Sequence, residues 1–124
     1  MSVRTWMHDM LAALDVDGVP GLFPWLGDDV VYRFGSFPAA QGKESFNETW
    51  LAISSHIESL SHDLLDTWEA GDSAVCRGNV TYSLSDGRNV IVPFVNVFYL
   101  TDGKIAEYLI YVDASAVFGA SAPV

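Results

Sequence analysis

The sequence predicts an α+β fold, with three N-terminal helices packed on one face of a curved antiparallel sheet. Three observations predict it. The first is a set of tight turns, Ala70-Gly71-Asp72, Ser85-Asp86-Gly87-Arg88 and Thr101-Asp102-Gly103-Lys104, which divide residues 62–113 into four long strands. Asp-Gly between alternating apolar runs marks a hairpin, because glycine takes the positive φ such turns need. The second is that every apolar stripe of helical period lies ahead of this meander, and helices grouped before strands indicate segregated layers. The third is strand length. Strands of roughly ten residues twist, and a sheet built from them curls and acquires a concave face.

The elements follow in order. Trp6, Met7, Met10, Leu11 and Leu14 form one stripe in residues 3–14, so a first amphipathic helix is expected there, with Ser2 as its cap. Residues 15–18 break it. Asp17 caps a short second helix through Leu22, Phe23 and Leu26, with Pro20 in its first turn and Pro24 keeping it short or irregular. Asp28 and Asp29 lead into a short strand over residues 30–34, which joins the sheet at an edge or across its open side, and residues 35–42 form a loop. A third helix is expected over residues 43–59, where Phe46, Trp50, Ile53, Ile57 and Leu60 keep a regular helical spacing.

Composition narrows the class. The chain has 124 residues, enough for one domain over 1–124 with one core, and half of them are apolar. A net charge of −10 with only six Lys and Arg excludes the basic stripe that nucleic acid needs and disfavours anionic lipid. Most acids fall beside turns, where they serve solvation. The lone cysteine, Cys76, precludes an internal disulfide and suits a reducing compartment; no charged-then-apolar leader opens the chain, so a cytoplasmic location is expected. The longest apolar run, residues 90–95, is far too short to cross a bilayer.

The strands are apolar on both faces, whereas a sheet with one wet face alternates more strictly. One face is therefore expected under the helices and the other against a second copy of the chain, giving a homodimer through the sheet. In the second long strand Val75, Arg77, Asn79, Thr81 and Ser83 share a face, and in the third Val92, Phe94, Asn96, Phe98 and Leu100 do. Pro93 lacks a ladder donor, and a bulge is expected there.

The element order, with Ala12-Ala13-Leu14 followed by Asp, Asp28-Asp29-Val30-Val31-Tyr32, Gly42-Lys43-Glu44 and Thr101-Asp102-Gly103-Lys104-Ile105 leading to Tyr111-Val112-Asp113, resembles the SnoaL-like branch of the superfamily that includes nuclear transport factor two, ketosteroid isomerase and limonene epoxide hydrolase. The resemblance covers about the whole chain. It implies a cone-shaped roll, dimerisation through the sheet and an apolar ligand in the cone, and it says little about activity, because this fold hosts many. Against the epoxide hydrolase pattern Arg77 matches the arginine and Tyr32 the tyrosine, but Asn79 and Ile110 fall at the two aspartates and Phe34 at the asparagine. Against the isomerase pattern Phe34 falls at the carboxylate base, Met10 at the oxyanion tyrosine and Asn96 at its acid. Ile110 also falls at the acid of the polyketide cyclases. The resemblance thus points to a polyketide cyclase-like or ketosteroid isomerase-like enzyme acting on a polycyclic or carbonyl compound, with the acid and base carboxylates of those enzymes missing.

The expected cone-facing set is Tyr32, Phe34, Trp50, Ile53, Arg77, Asn79, Thr81, Phe94, Asn96, Phe98, Tyr108, Ile110 and Val112, an apolar wall with few polar groups, as small-molecule pockets have. The rings serve equally well as core filling. Arg77, Asn79 and Asn96 are harder to explain that way, since an unpaired buried polar group costs on the order of 1–3 kcal/mol. Asp66 or a ligand carboxylate would balance Arg77. His62, read as sharing a face with Asp66, Leu64 and Trp68, is the best general base. Catalytic roles therefore fall to His62, Asp66, Arg77 and Asn96, with a small apolar ligand or substrate as partner. No His, Cys or carboxylate cluster has metal-ligand spacing and no phosphate-cradling loop occurs, so no metal or cofactor is expected. The competing readings are a non-catalytic apolar-ligand binder and a dimerising scaffold with a filled cone.

Overall fold

The computed structural model describes residues 4–118. Helix α1 spans Trp6–Asp17 and is followed by a 3-10 helix, Val19–Trp25. Strand β1 is Leu26–Phe34 and β2 is Ala40–Gln41; helix α2 is Lys43–Ile53. The meander is β3 (Ile57–Ala70), β4 (Ser73–Leu84), β5 (Asn89–Thr101) and β6 (Lys104–Val112), closed by a single turn of helix, α3 (Ser115–Phe118).

All three predicted turns form. Asp102 and Gly103 both have positive φ, 53° and 77°, which gives a two-residue hairpin the twist its strands require. The strands order as β2-β1-β6-β5-β4-β3. β1 runs parallel to β6, pairing Tyr32 with Tyr108 and Phe34 with Ile110, and the other neighbours are antiparallel.

This overturns the expectation of a cone-shaped roll with three N-terminal helices on an antiparallel sheet. The sheet is mixed, and it is open, with β2 and β3 as unpaired edges. Only α1 and the 3-10 helix precede β1, and α2 is inserted between β2 and β3. Proline at both ends of the 3-10 segment explains why it never becomes an α-helix. The third helix ends at Ile53, short of its predicted limit: Ser54 donates its hydroxyl to the Trp50 carbonyl at 2.5 Å, and Ile57 and Leu60 belong to β3 instead. At the other end of the chain, α1 starts at a capping box. The Thr5 hydroxyl accepts from Met7 N–H at 3.2 Å, and His8 Nδ1 accepts from Thr5 N–H at 2.9 Å, so His8 is tied down rather than free in solvent. Ser2, the predicted cap, lies outside the described residues.

The core forms between α1, the 3-10 helix, α2 and one face of the sheet, around Met7, Met10, Leu11, Leu22, Val30, Phe46, Tyr82, Phe98 and Tyr108. On β4 the buried face is Ala74, Cys76, Gly78, Val80, Tyr82 and Leu84. The side chains of Val75, Arg77, Asn79, Thr81 and Ser83 point the other way, opposite to the expectation. Nor does a bulge form at Pro93, which pairs in register with Asn79. Pairing between β5 and β6 starts only at Phe94, so β5 has an open flank where a residue without an N–H is tolerated. The bulge lies on β3 at Leu65, between the pairs Leu64–Gly78 and Asp66–Arg77. Among the described residues, no helix is long and apolar enough to cross a membrane.

Candidate functional site

A pocket of about 50 Å³ opens between the helices and the inner sheet face. Rings make most of its wall. Tyr32 stacks on Phe46 with centroids 4.0 Å apart, Phe46 meets Tyr108 edge-on at 5.5 Å, and Phe34 leans on Trp50 at 5.6 Å. Parallel pairing of β1 with β6 brings Tyr32 beside Tyr108, and β5 sets Asn96 opposite Ile110. His62, Phe94, Ile53 and Leu60 complete the side towards β3 and α2.

The polar groups divide into two kinds. His62 is held. Its Nδ1 lies 2.6 Å from Asp15 Oδ1, its backbone N–H donates to Asp15 Oδ2 at 2.8 Å, and its ring meets Phe94 edge-on at 5.2 Å. The two side chains are only 10% and 19% exposed. A carboxylate on Nδ1 fixes the proton there and leaves Nε2 as the basic nitrogen. By contrast, the Tyr32 hydroxyl and the Asn96 carbonyl oxygen are buried without a hydrogen-bond partner, on residues 3% and 2% exposed. Such atoms are costly unless something else satisfies them.

Burial pushes the Tyr32 hydroxyl above the usual tyrosine range; the neighbouring Thr49 hydroxyl opposes this without forming a well-made hydrogen bond. Tyr108 is raised well above that range, chiefly by burial, with Cys76 and the Asp15 carboxylate adding to it. Burial pushes the Cys76 thiol up to about 12 against the hydrogen bonds that Asn96 offers it, so Cys76 is a protonated core residue and no nucleophile.

The sequence-predicted site residues separate accordingly. Tyr32, Phe34, Trp50, Ile53, His62, Phe94, Asn96, Tyr108 and Ile110 line the pocket together. Phe98 is buried in the core behind it, against Tyr108 and Trp6, and Val112 packs at the core margin beside Phe94. Asp66, Arg77, Asn79 and Thr81 are not brought to it. Asp66 and Arg77 form an ion pair of 2.7 Å on the outer face, with side chains 42% and 51% exposed. The cause is the bulge at Leu65. His62 and Leu64 face inward before it, but the added residue shifts parity, so Asp66 and Trp68 face outward while Thr67 sits opposite Cys76. Gly78 lies opposite this bulge, where a Cβ would come 2.0 Å from the Asp63 carbonyl oxygen.

The sequence reading ends the first helix before Asp15, at the expected break over residues 15–18. Helix α1 runs on to Asp17, and Met7, Leu11 and Asp15 continue one line at a spacing of four. A carboxylate at the end of an apolar stripe was the available signal. Among the described residues, no three His, Cys, Asp or Glu side chains are grouped to hold a metal ion.

The chain belongs to the SnoaL-like domain family, whose model matches residues 3–108. In fold it is similar to an NTF2-like protein of unknown function from Burkholderia pseudomallei K96243, 18% identical over 92% of this chain and 95% of that one, with a TM-score of 0.81. It is also similar to a protein provisionally described as a SnoaL-like polyketide cyclase from Jannaschia sp. CCS1 (20% identity, 100% of both chains, TM-score 0.75). A third likeness is to an LEH-like epoxide hydrolase from M. tuberculosis, at 19% identity over 90% of this chain and 83% of that one, with a TM-score of 0.73. At these identities the likeness is one of fold.

Proposed function

We propose that the protein is an enzyme that moves a proton on a small, largely apolar ketone or enol, with His62 as the base and Asp15 as the residue that positions it. The observation that carries this is the 2.6 Å His62–Asp15 contact at the wall of an apolar pocket. His62 Nε2 takes a proton from the carbon beside a carbonyl, and the electron pair moves onto the oxygen. The Tyr32 hydroxyl donates to that oxygen, the Asn96 carbonyl accepts from a hydroxyl of the same ligand, and the proton returns to carbon. In this arrangement the carboxylate that the family's enzymes place on a strand is supplied from helix α1, one step removed, through histidine.

The test is deuterium uptake from D2O at the α-carbons of 2-butanone and 3-hydroxy-2-butanone, followed by NMR. The native protein accelerates uptake over buffer, and the His62→Ala and Asp15→Asn variants do not. Uptake that is no faster than buffer with the native protein, or equally fast with His62→Ala, removes the enzyme reading.

A second reading, a scaffold with a largely filled interior, is favoured by the size of the pocket. About 50 Å³ holds a few water-sized groups, well short of the roughly 300 Å³ of ordinary ligand pockets. Both readings are compatible with pairing of two copies through the outer sheet face, where Trp68, Ile91, Tyr99 and Tyr111 stand exposed.

A further inference from the structure

A second cavity adjoins the first. It is a groove of about 180 Å³ between the end of α1, the end of α2 and the start of β3, and it shares Leu14, Trp50 and Leu60 with the inner pocket. These three side chains are the partition. The Asp15–His62 pair crosses it, with Asp15 on the groove wall and His62 on the pocket wall. The two sides differ in chemistry. The inner side is rings and aliphatic groups with two unpartnered polar atoms, while the groove presents Ser54, Glu58 and Ser59. No lysine or arginine lines the groove. Asp15 already spends both carboxylate oxygens on His62, whereas Glu58 has no partner among the described residues.

We infer that the groove is the second half of one ligand site and takes the cationic, amine-bearing end of a molecule whose apolar end enters the inner pocket past Trp50. This rests on the inner pocket being a ligand site. The ring-lined inner pocket suits an apolar end, the shared wall makes the groove the approach to it, and the free Glu58 carboxylate in a chain of net charge −10 selects for a positive end and against a negative one.

Calorimetric titration with hexylamine, 1-hexanol and hexanoate at low salt tests it. These probes share a chain and differ only at the end that the groove receives. Hexylamine is expected to bind roughly tenfold more tightly than hexanoate, with 1-hexanol between them. Glu58→Gln narrows the gap to roughly threefold, while Glu48→Gln, the same charge change on the exposed side of α2, leaves it in place. Equal binding of hexylamine and hexanoate, or a gap that Glu48→Gln narrows as much as Glu58→Gln does, overturns the groove assignment while 1-hexanol binding upholds the pocket. Failure of all three probes to bind overturns both.

Discussion

Both faces of the sheet carry apolar side chains, and they differ in what their polar groups do. Outside, Arg77 and Asp66 find each other at 2.7 Å within reach of water. Inside, the Asn96 carbonyl oxygen and the Tyr32 hydroxyl are sealed from water without a partner, while His62 is paired with Asp15 through Nδ1 at the pocket wall. An exposed ion pair contributes little, commonly under ~1 kcal/mol, whereas an unsatisfied buried atom costs more than that. Apolar side chains on both faces therefore do not single out the face that holds the pocket, but unpaired burial does.

The largest effect that would break this contrast is on proton transfer. His62→Ala should lower deuterium uptake by about 10²-fold or more, while Arg77→Ala stays close to the native rate; equal losses would erase the distinction between the faces. Next is Gly78→Ala, which drives a Cβ into the Asp63 carbonyl on the neighbouring strand and should cost about 2–4 kcal/mol in urea unfolding. Asn96→Leu should do the reverse of an ordinary core polar deletion. Removing the unpartnered Asn96 carbonyl oxygen leaves stability unchanged or raises it by up to about 1 kcal/mol despite the lost contact with Cys76, while binding of 3-hydroxy-2-butanone falls.

A smaller effect appears in alkali. The buried Tyr32, Tyr82 and Tyr108 hydroxyls and the Cys76 thiol are all raised in the folded protein. Their neutral forms are thus favoured by folding, and that stability is complete below the unfolded values of 9.0 for cysteine and 10.0 for tyrosine and is lost as pH rises through and beyond them. Unfolding midpoints should hold level to about pH 9 and then fall, and Tyr108→Phe should flatten part of the fall. Smallest of all, Arg77→Ala should change stability by less than ~1 kcal/mol.

The sequence made the meander legible because Asp-Gly turns are local signals, and the structure sets Asp102 and Gly103 at the positive φ they imply. It made the ring-lined wall legible on β1, β5 and β6, where burial follows the alternation of bulky residues. It failed on β4. The alternation there is plain, with Ala74, Cys76, Gly78, Val80, Tyr82 and Leu84 on the buried face and Arg77, Asn79, Thr81 and Ser83 on the other, but the resemblance to the epoxide hydrolase pattern draws Arg77 and Asn79 inward. It failed on Asp66 because a bulge is a property of two strands and leaves no periodic trace in one. It failed on the mixed, open sheet because parallel pairing of β1 with β6 joins segments distant in the chain. Asp15 was missed for a smaller reason, one further turn of helix.

Leu65 has one more consequence. The strand's change of sides there rests on a single added residue. Deleting that residue would close the bulge into plain pairing and leave every later residue opposite its present partner, Asp66 on Arg77 and Thr67 on Cys76. The strand can therefore lose a letter at this position without exchanging its faces.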